Sequence, residues 1–281
     1  MQLLHIDENT IARLLPERRR NTHKGDYGKI LLLCGSRGYT GAAALAATGA
    51  LRTGAGLVYL AVPESIYAIE AVKLTEAVVM PLPDEDGMLS PKAIPLIRQM
   101  LPKMDAVLFG CGSGLGKGCE AVLLTLLREY PGPLVLDADG ITLLSQHMDV
   151  LRGRTSPTIL TPHDGEFLRL VPPEGERAEQ TMALADRLGA VILRKGCRTL
   201  ITDGTVCYEN RTGNPGMATG GSGDVLAGVI ASLLGQGLTP LEAAACGAWL
   251  HGAAGDLCAA QIGQYGMLPG DLVEKLPRLL K

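Results

Sequence analysis

No apolar stretch in this sequence reaches about 18 residues without a charge or a glycine cluster, so no transmembrane helix is expected. Met1 to Glu8 lack a basic stretch followed by an apolar core, so no signal peptide is expected there either. The seven cysteines (Cys34, Cys111, Cys119, Cys197, Cys207, Cys246, Cys258) contain no C-x-x-C pair. Their odd number and scatter argue against a zinc site and a disulfide framework. Most lie in apolar segments, as buried reduced thiols of a cytoplasmic protein would. Charge of one sign is also missing: 26 basic against 29 acidic side chains leave a formal charge of −3. A general attraction to nucleic acid or to an anionic membrane is thereby excluded. The one basic run, Arg18-Arg19-Arg20, is short and reads as a solvated helix end.

Two nucleotide-binding fingerprints are absent as well. No G-x-x-x-x-G-K-[ST] occurs, which rules out a P-loop. The stretch from Gly110 to Gly116 follows a strand pattern but does not fit G-x-G-x-x-G. A hydride-transfer dehydrogenase is disfavoured on that ground. No linker, low-complexity tract or internal repeat interrupts the chain, so residues 1–281 read as one domain.

What the sequence has in excess is glycine, 36 of 281 residues, about twice the usual share of roughly 7%. The glycines are not periodic; they cluster at the ends of apolar runs. Those runs predict strands at Lys29 to Cys34, Leu57 to Val62, Ala106 to Phe109, Leu134 to Leu136, Thr158 to Leu160 and Val191 to Arg194. Several lack polar alternation, as strands buried on both faces of a parallel sheet do. Helical patterns lie between them, at Gly41 to Arg52, Gly118 to Tyr130, Gly140 to Ser145 and Arg177 to Leu188. This rhythm predicts an α/β fold with a doubly wound, mostly parallel sheet. The last third differs. Leu200 to Thr202 and Val206 to Glu209 flank Asp203-Gly204 and predict a hairpin. Two helices follow, one from Ser222 to about Leu234 and one capped by Thr239, with Pro240 at its first position and Glu242 three residues after the cap.

Residues 213–224 read Gly-Asn-Pro-Gly-Met-Ala-Thr-Gly-Gly-Ser-Gly-Asp, and a helix pattern follows at once. Such a loop leaves backbone N–H groups bare, and the helix start adds partial positive charge; together they suit phosphate oxygens. Asp224 falls in the first helical turn. There the macrodipole favours its ionised form, which would accept a proton from a hydroxyl attacking a terminal phosphoryl group. Asp137 and Asp139, in Leu-Asp-Ala-Asp-Gly after a strand, either line the site or cap a helix.

Gly220-Gly221-Ser222-Gly223-Asp224 resembles the anion-hole and catalytic-base motif of ribokinase-like kinases. Within that superfamily, Leu160-Thr161-Pro162-His163-Asp164-Gly165-Glu166-Phe167 is similar to a T-P-H-P-G-E-F segment of the ADP-dependent NAD(P)H-hydrate dehydratases. So are His23-Lys24-Gly25-Asp26-Tyr27-Gly28-Lys29, Tyr39-Thr40-Gly41-Ala42-Ala43 and Lys195-Gly196-Cys197-Arg198-Thr199. These segments occur in family order from about residue 20 to the C-terminus. The resemblance implies a ribokinase-like three-layer α/β/α sandwich and a repair reaction. NADH or NADPH hydrated at carbon 6 of the nicotinamide would be phosphorylated at the expense of ADP. Phosphate would then leave, giving AMP and the restored dinucleotide.

The same resemblance assigns Asp224 as the base and Gly221, Ser222 and Gly223 as the anion hole. It places Ala42, Gly112, His163 and Asp224 against the hydrated dinucleotide, and Lys195, Gly196, Cys197, Arg198, Thr199 and Gly223 against the adenine nucleotide. Without it, Ala42 is a small helix-start residue, His163 a helix cap and Lys195-Gly196 a turn. Gly112 competes with Gly114 for its role, because Gly110 to Gly116 is longer than the family's G-x-G-L-G. The family's proline after the histidine is Asp164 here, which loosens the backbone at His163 and puts another acid near the site. Magnesium is expected with the diphosphate, its ligands unassigned. The resemblance also implies a homotetramer and a separate epimerase chain. Two other readings are weighed: a ribokinase-like kinase for hydroxymethylpyrimidine or hydroxyethylthiazole, which lacks the T-P-H-x-G-E-F segment, and a non-catalytic nucleotide sensor, which has no need of Asp224.

Overall fold

The computed structural model describes residues 3–172 and 174–280. The chain opens with β1 (Leu4–His5), α1 (Glu8–Leu14), β2 (Lys29–Leu33), α2 (Thr40–Arg52), β3 (Leu57–Pro63), α3 (Glu64–Lys73) and β4 (Val78–Leu82). A small hairpin of β5 (Asp84–Glu85) and β6 (Met88–Leu89) leads to α4 (Ile94–Met100), β7 (Ala106–Phe109), α5 (Lys117–Glu129) and β8 (Leu134–Leu136). Next come α6 (Asp139–Leu144), α7 (Met148–Arg152), β9 (Thr158–Leu160), α8 (Asp164–Leu170), α9 (Arg177–Leu188) and β10 (Val191–Arg194). The chain closes with β11 (Thr199–Thr202), β12 (Cys207–Asn210), α10 (Ser222–Gly235), α11 (Pro240–Ile262) and α12 (Pro269–Leu279). All ten predicted strands and helices of the α/β part are present within one or two residues. The hairpin is present too, with its turn lengthened to residues 203–206 because Thr202 pairs with Cys207.

Ten strands form one sheet in the order β1-β12-β11-β10-β9-β8-β7-β2-β3-β4. Only β11 runs against its neighbours. The central strands β2, β7, β8 and β9 are buried on both faces, which is why their sequences are unbroken apolar runs. One apolar cluster joins one sheet face to α2, α10, α11 and α12; a second joins the other face to α4–α9. The result is the expected three-layer α/β/α sandwich. No helix among the described residues is long and apolar enough to cross a membrane. All seven cysteines are free; six are buried and Cys197 is exposed.

The small-residue stripe of α2 lets α10 lie directly on it: a Cβ at Gly228 would stand 2.0 Å from the Ala46 carbonyl oxygen, and one at Gly49 2.7 Å from that of Val225. The cap of α11 is as predicted. Thr239 Oγ1 accepts from the Glu242 N–H, and the Glu242 carboxylate accepts from the Thr239 N–H at 3.0 Å. Thr239→Ala is expected to lower stability by about 1 kcal/mol, read as a lower urea midpoint at unchanged slope. The basic run is not a helix end. Helix α1 stops at Leu14, and Arg18 lies beyond it, over the Tyr27 ring and donating to the Gly54 carbonyl.

Candidate active site

After β2 the chain builds outward through β3 and β4, then returns to place β7 on the other side of β2. In an open α/β sheet such a reversal leaves a crevice beyond the C-terminal strand ends. Here that edge carries Cys34 after β2, Cys111 after β7, Asp137 after β8, Thr161 after β9 and Lys195 after β10. Asp137 is the centre of the group. Its Oδ1 accepts from Thr161 Oγ1 and from Lys195 Nζ, both at 2.7 Å. Its Oδ2 lies 3.6 Å from Cys111 Sγ. Burial works against the Lys195 ammonium, but the Asp137 and Glu166 carboxylates outweigh it and hold its pKa above the usual value.

Helix α10 aims its N-terminus at this cluster. Gly221, at φ +96, is its cap, and a Cβ there would meet Leu45 Cδ1 at 2.5 Å. Of the next N–H groups, that of Ser222 reaches back to the Thr219 carbonyl at 3.4 Å, while those of Gly223 and Asp224 begin the helix with no acceptor one turn back. The Ser222 hydroxyl packs inward against His251 Nε2 of α11 at 3.2 Å. Burial, and then the charge of Lys195, lower the His251 pKa to about 4, so this ring is neutral at physiological pH.

One oxygen each of Asp137 and Asp224 and the Cys111 sulfur lie within 4.8 Å of one another. Burial, and then the Asp137 charge, raise the Asp224 pKa to about 6, against the opposing pull of Cys111 and Lys195. The expectation that the helix dipole governs this carboxyl is therefore corrected. A dipole contributes typically 0.3–1 kcal/mol, whereas two pK units correspond to roughly 3. At about 6 the group is still mostly ionised at neutral pH, and it is better matched to taking and returning a proton than an exposed carboxylate.

The other sequence-predicted residues divide. Ala42 and Gly112 come together: a Cβ on Gly112 would stand 2.9 Å from that of Ala42, whereas Gly114 faces Met88. Lys195 alone of the 195–199 segment turns into the Asp224 cluster; Gly196, Cys197 and Arg198 are exposed at the rim. Arg177 shapes that rim by donating to the carbonyls of Arg194, Lys195 and Arg198. His163 caps α8, its Nδ1 accepting from the Glu166 N–H at 3.2 Å, with much of the ring exposed. Its backbone stays extended (φ −77, ψ 170), so the freedom gained by losing the proline is not used. Asp164 turns to Arg194 at 2.6 Å and Arg177 at 3.5 Å. Burial raises its pKa, but the two arginines win and hold it below the usual carboxylate range.

Neither Asp137 nor Asp139 caps a helix. The cap of α6 is Ala138, without a side-chain bond. Asp137 lines the site, and Asp139 accepts from the Gly114 N–H at 2.8 Å, shaping the 110–116 loop. The His23-Lys24-Gly25 segment stands elsewhere, in a short turn before β2, at the far edge of the sheet. Five residues of β2 separate it from Cys34, roughly 17 Å of strand. Nothing in the local sequence assigns roles to Cys111, Arg177 or His251; a lone histidine in an alanine-rich helix is the one faint signal.

The converging donors do not suit a resident magnesium ion. Magnesium demands hard oxygen ligands in octahedral array, while one donor here is a thiol and Asp137 is already committed to Lys195 and Thr161.

A family model described as NAD(P)H-hydrate dehydratase matches residues 30–278. The bifunctional NAD(P)H-hydrate repair enzyme of Moorella thermoacetica is 46% identical over 275 residues, covering 95% of this chain and 52% of that protein. The chain thus spans about half the length of such relatives. The ADP-dependent (S)-NAD(P)H-hydrate dehydratase of Neisseria meningitidis serogroup B is 35% identical over 266 residues, covering 91% of this chain and 86% of that one. The ADP/ATP-dependent NAD(P)H-hydrate dehydratase of Bacillus subtilis, co-crystallised with ATP and Mg2+, matches with a TM-score of 0.83 at 30% identity, covering 99% of this chain and 98% of that chain. The architecture is ribokinase-like, as in solved proteins of that superfamily. By sequence and by fold, the chain belongs to the NAD(P)H-hydrate dehydratase family.

Proposed function

We propose that this chain dehydrates the (S)-hydrates of NADH and NADPH at the expense of ADP, releasing AMP and phosphate. The observation that carries the reading is Asp224. It is a half-buried carboxyl with a pKa of about 6, set in the first turn of a helix whose leading amides face the site. Asp224 takes the proton of the carbon-6 hydroxyl, and the freed oxygen attacks the β-phosphorus of ADP. Hydroxide is a poor leaving group and phosphate a good one. Once phosphorylated, carbon 6 loses phosphate, carbon 5 gives up a proton, and the C5–H electron pair re-forms the ring double bond. The amides of Gly221, Ser222 and Gly223 hold the phosphoryl oxygens in transit.

The substrate rests against Ala42, Gly112 and His163, and the nucleotide against Lys195 to Thr199. Magnesium arrives with the nucleotide diphosphate rather than in a cage built by the protein, in line with the soft donor set at the site. The reading extends to a single catalytic domain over residues 1–281, a cytoplasmic homotetramer and an epimerase as working partner. The bifunctional naming of the longer relatives supports that last pairing. The test is incubation with hydrated NADH and ADP. NADH absorbance is expected to return with one AMP released per NADH. A phosphorylated vitamin without that return would overturn the reading in favour of a small-molecule kinase.

A further inference from the structure

Two carboxylates, Asp137 and Asp224, face the point where a phosphate must arrive. Left alone they would repel it. The one cation among the described residues that enters this cluster is Lys195, and its position is specific. A Cβ at Gly223, the second residue of α10, would stand 3.2 Å from Lys195 Nζ, so the ammonium hangs over the bare amides of the helix start. An ammonium has three N–H donors. Asp137 takes one at 2.7 Å; Glu166 stands at 3.9 Å, too far for a hydrogen bond. No further acceptor is found among the described residues, and the side chain keeps 18% of its surface open. Thr161, hydrogen-bonded to the same Asp137 oxygen, fixes that carboxylate in turn.

We propose that Lys195 is a catalytic residue whose ammonium meets the transferring phosphoryl group over the start of α10, and that Asp137 is its positioning residue. This rests on the phosphoryl-transfer reading above, and deepens it. The role of residue 195 is thereby separated from that of its exposed neighbours: the others border the nucleotide at the rim, while Lys195 reaches the bond that breaks. Asp137 and Lys195 also act on the base in opposite senses. The groups that face Asp224 are Asp137, Asp139, Cys111 and Lys195; Lys195 itself faces Glu166 and the neutral His251 as well.

The test compares ADP with AMP, because only ADP carries the group to be transferred. In calorimetric titration Lys195→Met is expected to weaken ADP roughly 10- to 100-fold, the worth of a charge-assisted hydrogen bond. AMP binding is expected to change less than about threefold, since AMP lacks that group. In turnover the same variant should lose about 100-fold or more in kcat with little change in KM for the hydrated dinucleotide. Asp137→Asn should lose less, and its acidic kcat/KM limb should move down in pH, while that of Lys195→Met moves up. Removing one partner of a buried pair can unfold a protein. The double variant Lys195→Met/Asp137→Asn, which leaves no unpaired charge, is therefore measured alongside. An ADP-over-AMP preference that survives in Lys195→Met and in the double variant would overturn the proposal. So would a kcat for both within about threefold of the parent, well below the effect of one lost donor. A parent protein that never returns NADH would sink the repair reaction instead, and the ADP/AMP comparison would still decide the role of Lys195.

Discussion

Asp224→Asn is expected to abolish turnover and, at neutral pH, to make the protein more stable. Loss of a positioned base typically costs 10²- to 10⁴-fold in kcat. Nucleotide binding should persist, because the leading amides of α10 and Lys195 are untouched. The stability gain follows from the sign of the pKa shift. Burial and the neighbouring Asp137 raise the folded-state value to about 6, so folding favours the protonated form. The protein is destabilised by this group as pH rises through about 6, and below the unfolded value, near 4, the penalty is gone. Asparagine mimics the protonated form at every pH. The variant should therefore gain on the order of 1–2 kcal/mol above pH 7, after allowing for solvent at a half-buried carboxyl. The gain should vanish below about pH 4. In the parent enzyme kcat/KM should fall on the acid side with a midpoint near 6. Urea melts at pH 8 and pH 4 and a kcat/KM–pH profile check all three. A variant that keeps full activity would show that the base lies elsewhere.

Gly228→Ala is expected to be strongly destabilising, although helix propensity alone points the other way. Alanine in a helix interior is favoured over glycine by about 1 kcal/mol. At this position, however, the new Cβ would stand 2.0 Å from the Ala46 carbonyl oxygen and 3.1 Å from the Ala46 Cα, both main-chain atoms of α2. No side-chain rotation relieves a clash with backbone, so the two helices must separate along their whole crossing. Overpacking usually costs about 1–3 kcal/mol and more where nothing can yield. Here the loss should reach or exceed the top of that range and bring low soluble yield. Gly270→Ala in α12 is the control: its Cβ meets nothing within 4 Å, so stability should hold or rise by a few tenths of a kcal/mol. Equal urea midpoints for the two variants would show that the α2–α10 contact is less rigid than its geometry implies.

The elements that the sequence leaves unread have local reasons for silence. Strand β4 contains Pro81 and is tolerated because it is an edge strand, bonded on one side only. Strand β1 is two residues long and owes its existence to pairing with β12. Helix α3 starts at Glu64, directly after β3 ends at Pro63, with no turn signal between them.

The sequence by itself determined the alternation of strand and helix, the hairpin, the Thr239–Glu242 cap and the glycine loop that opens α10 onto Asp224. Each of these is a matter of neighbours along the chain: periodicity, capping chemistry and backbone freedom act over a few residues. Tertiary structure alone decided that Asp137 faces Lys195 across 58 positions, that His251 holds the Ser222 hydroxyl and that Asp164 is taken up by arginines. It also decided the proton affinity of Asp224, because that depends on burial and on charges delivered by other strands. Sheet order and the helix layers select which strand ends share a crevice, and no local pattern encodes that selection.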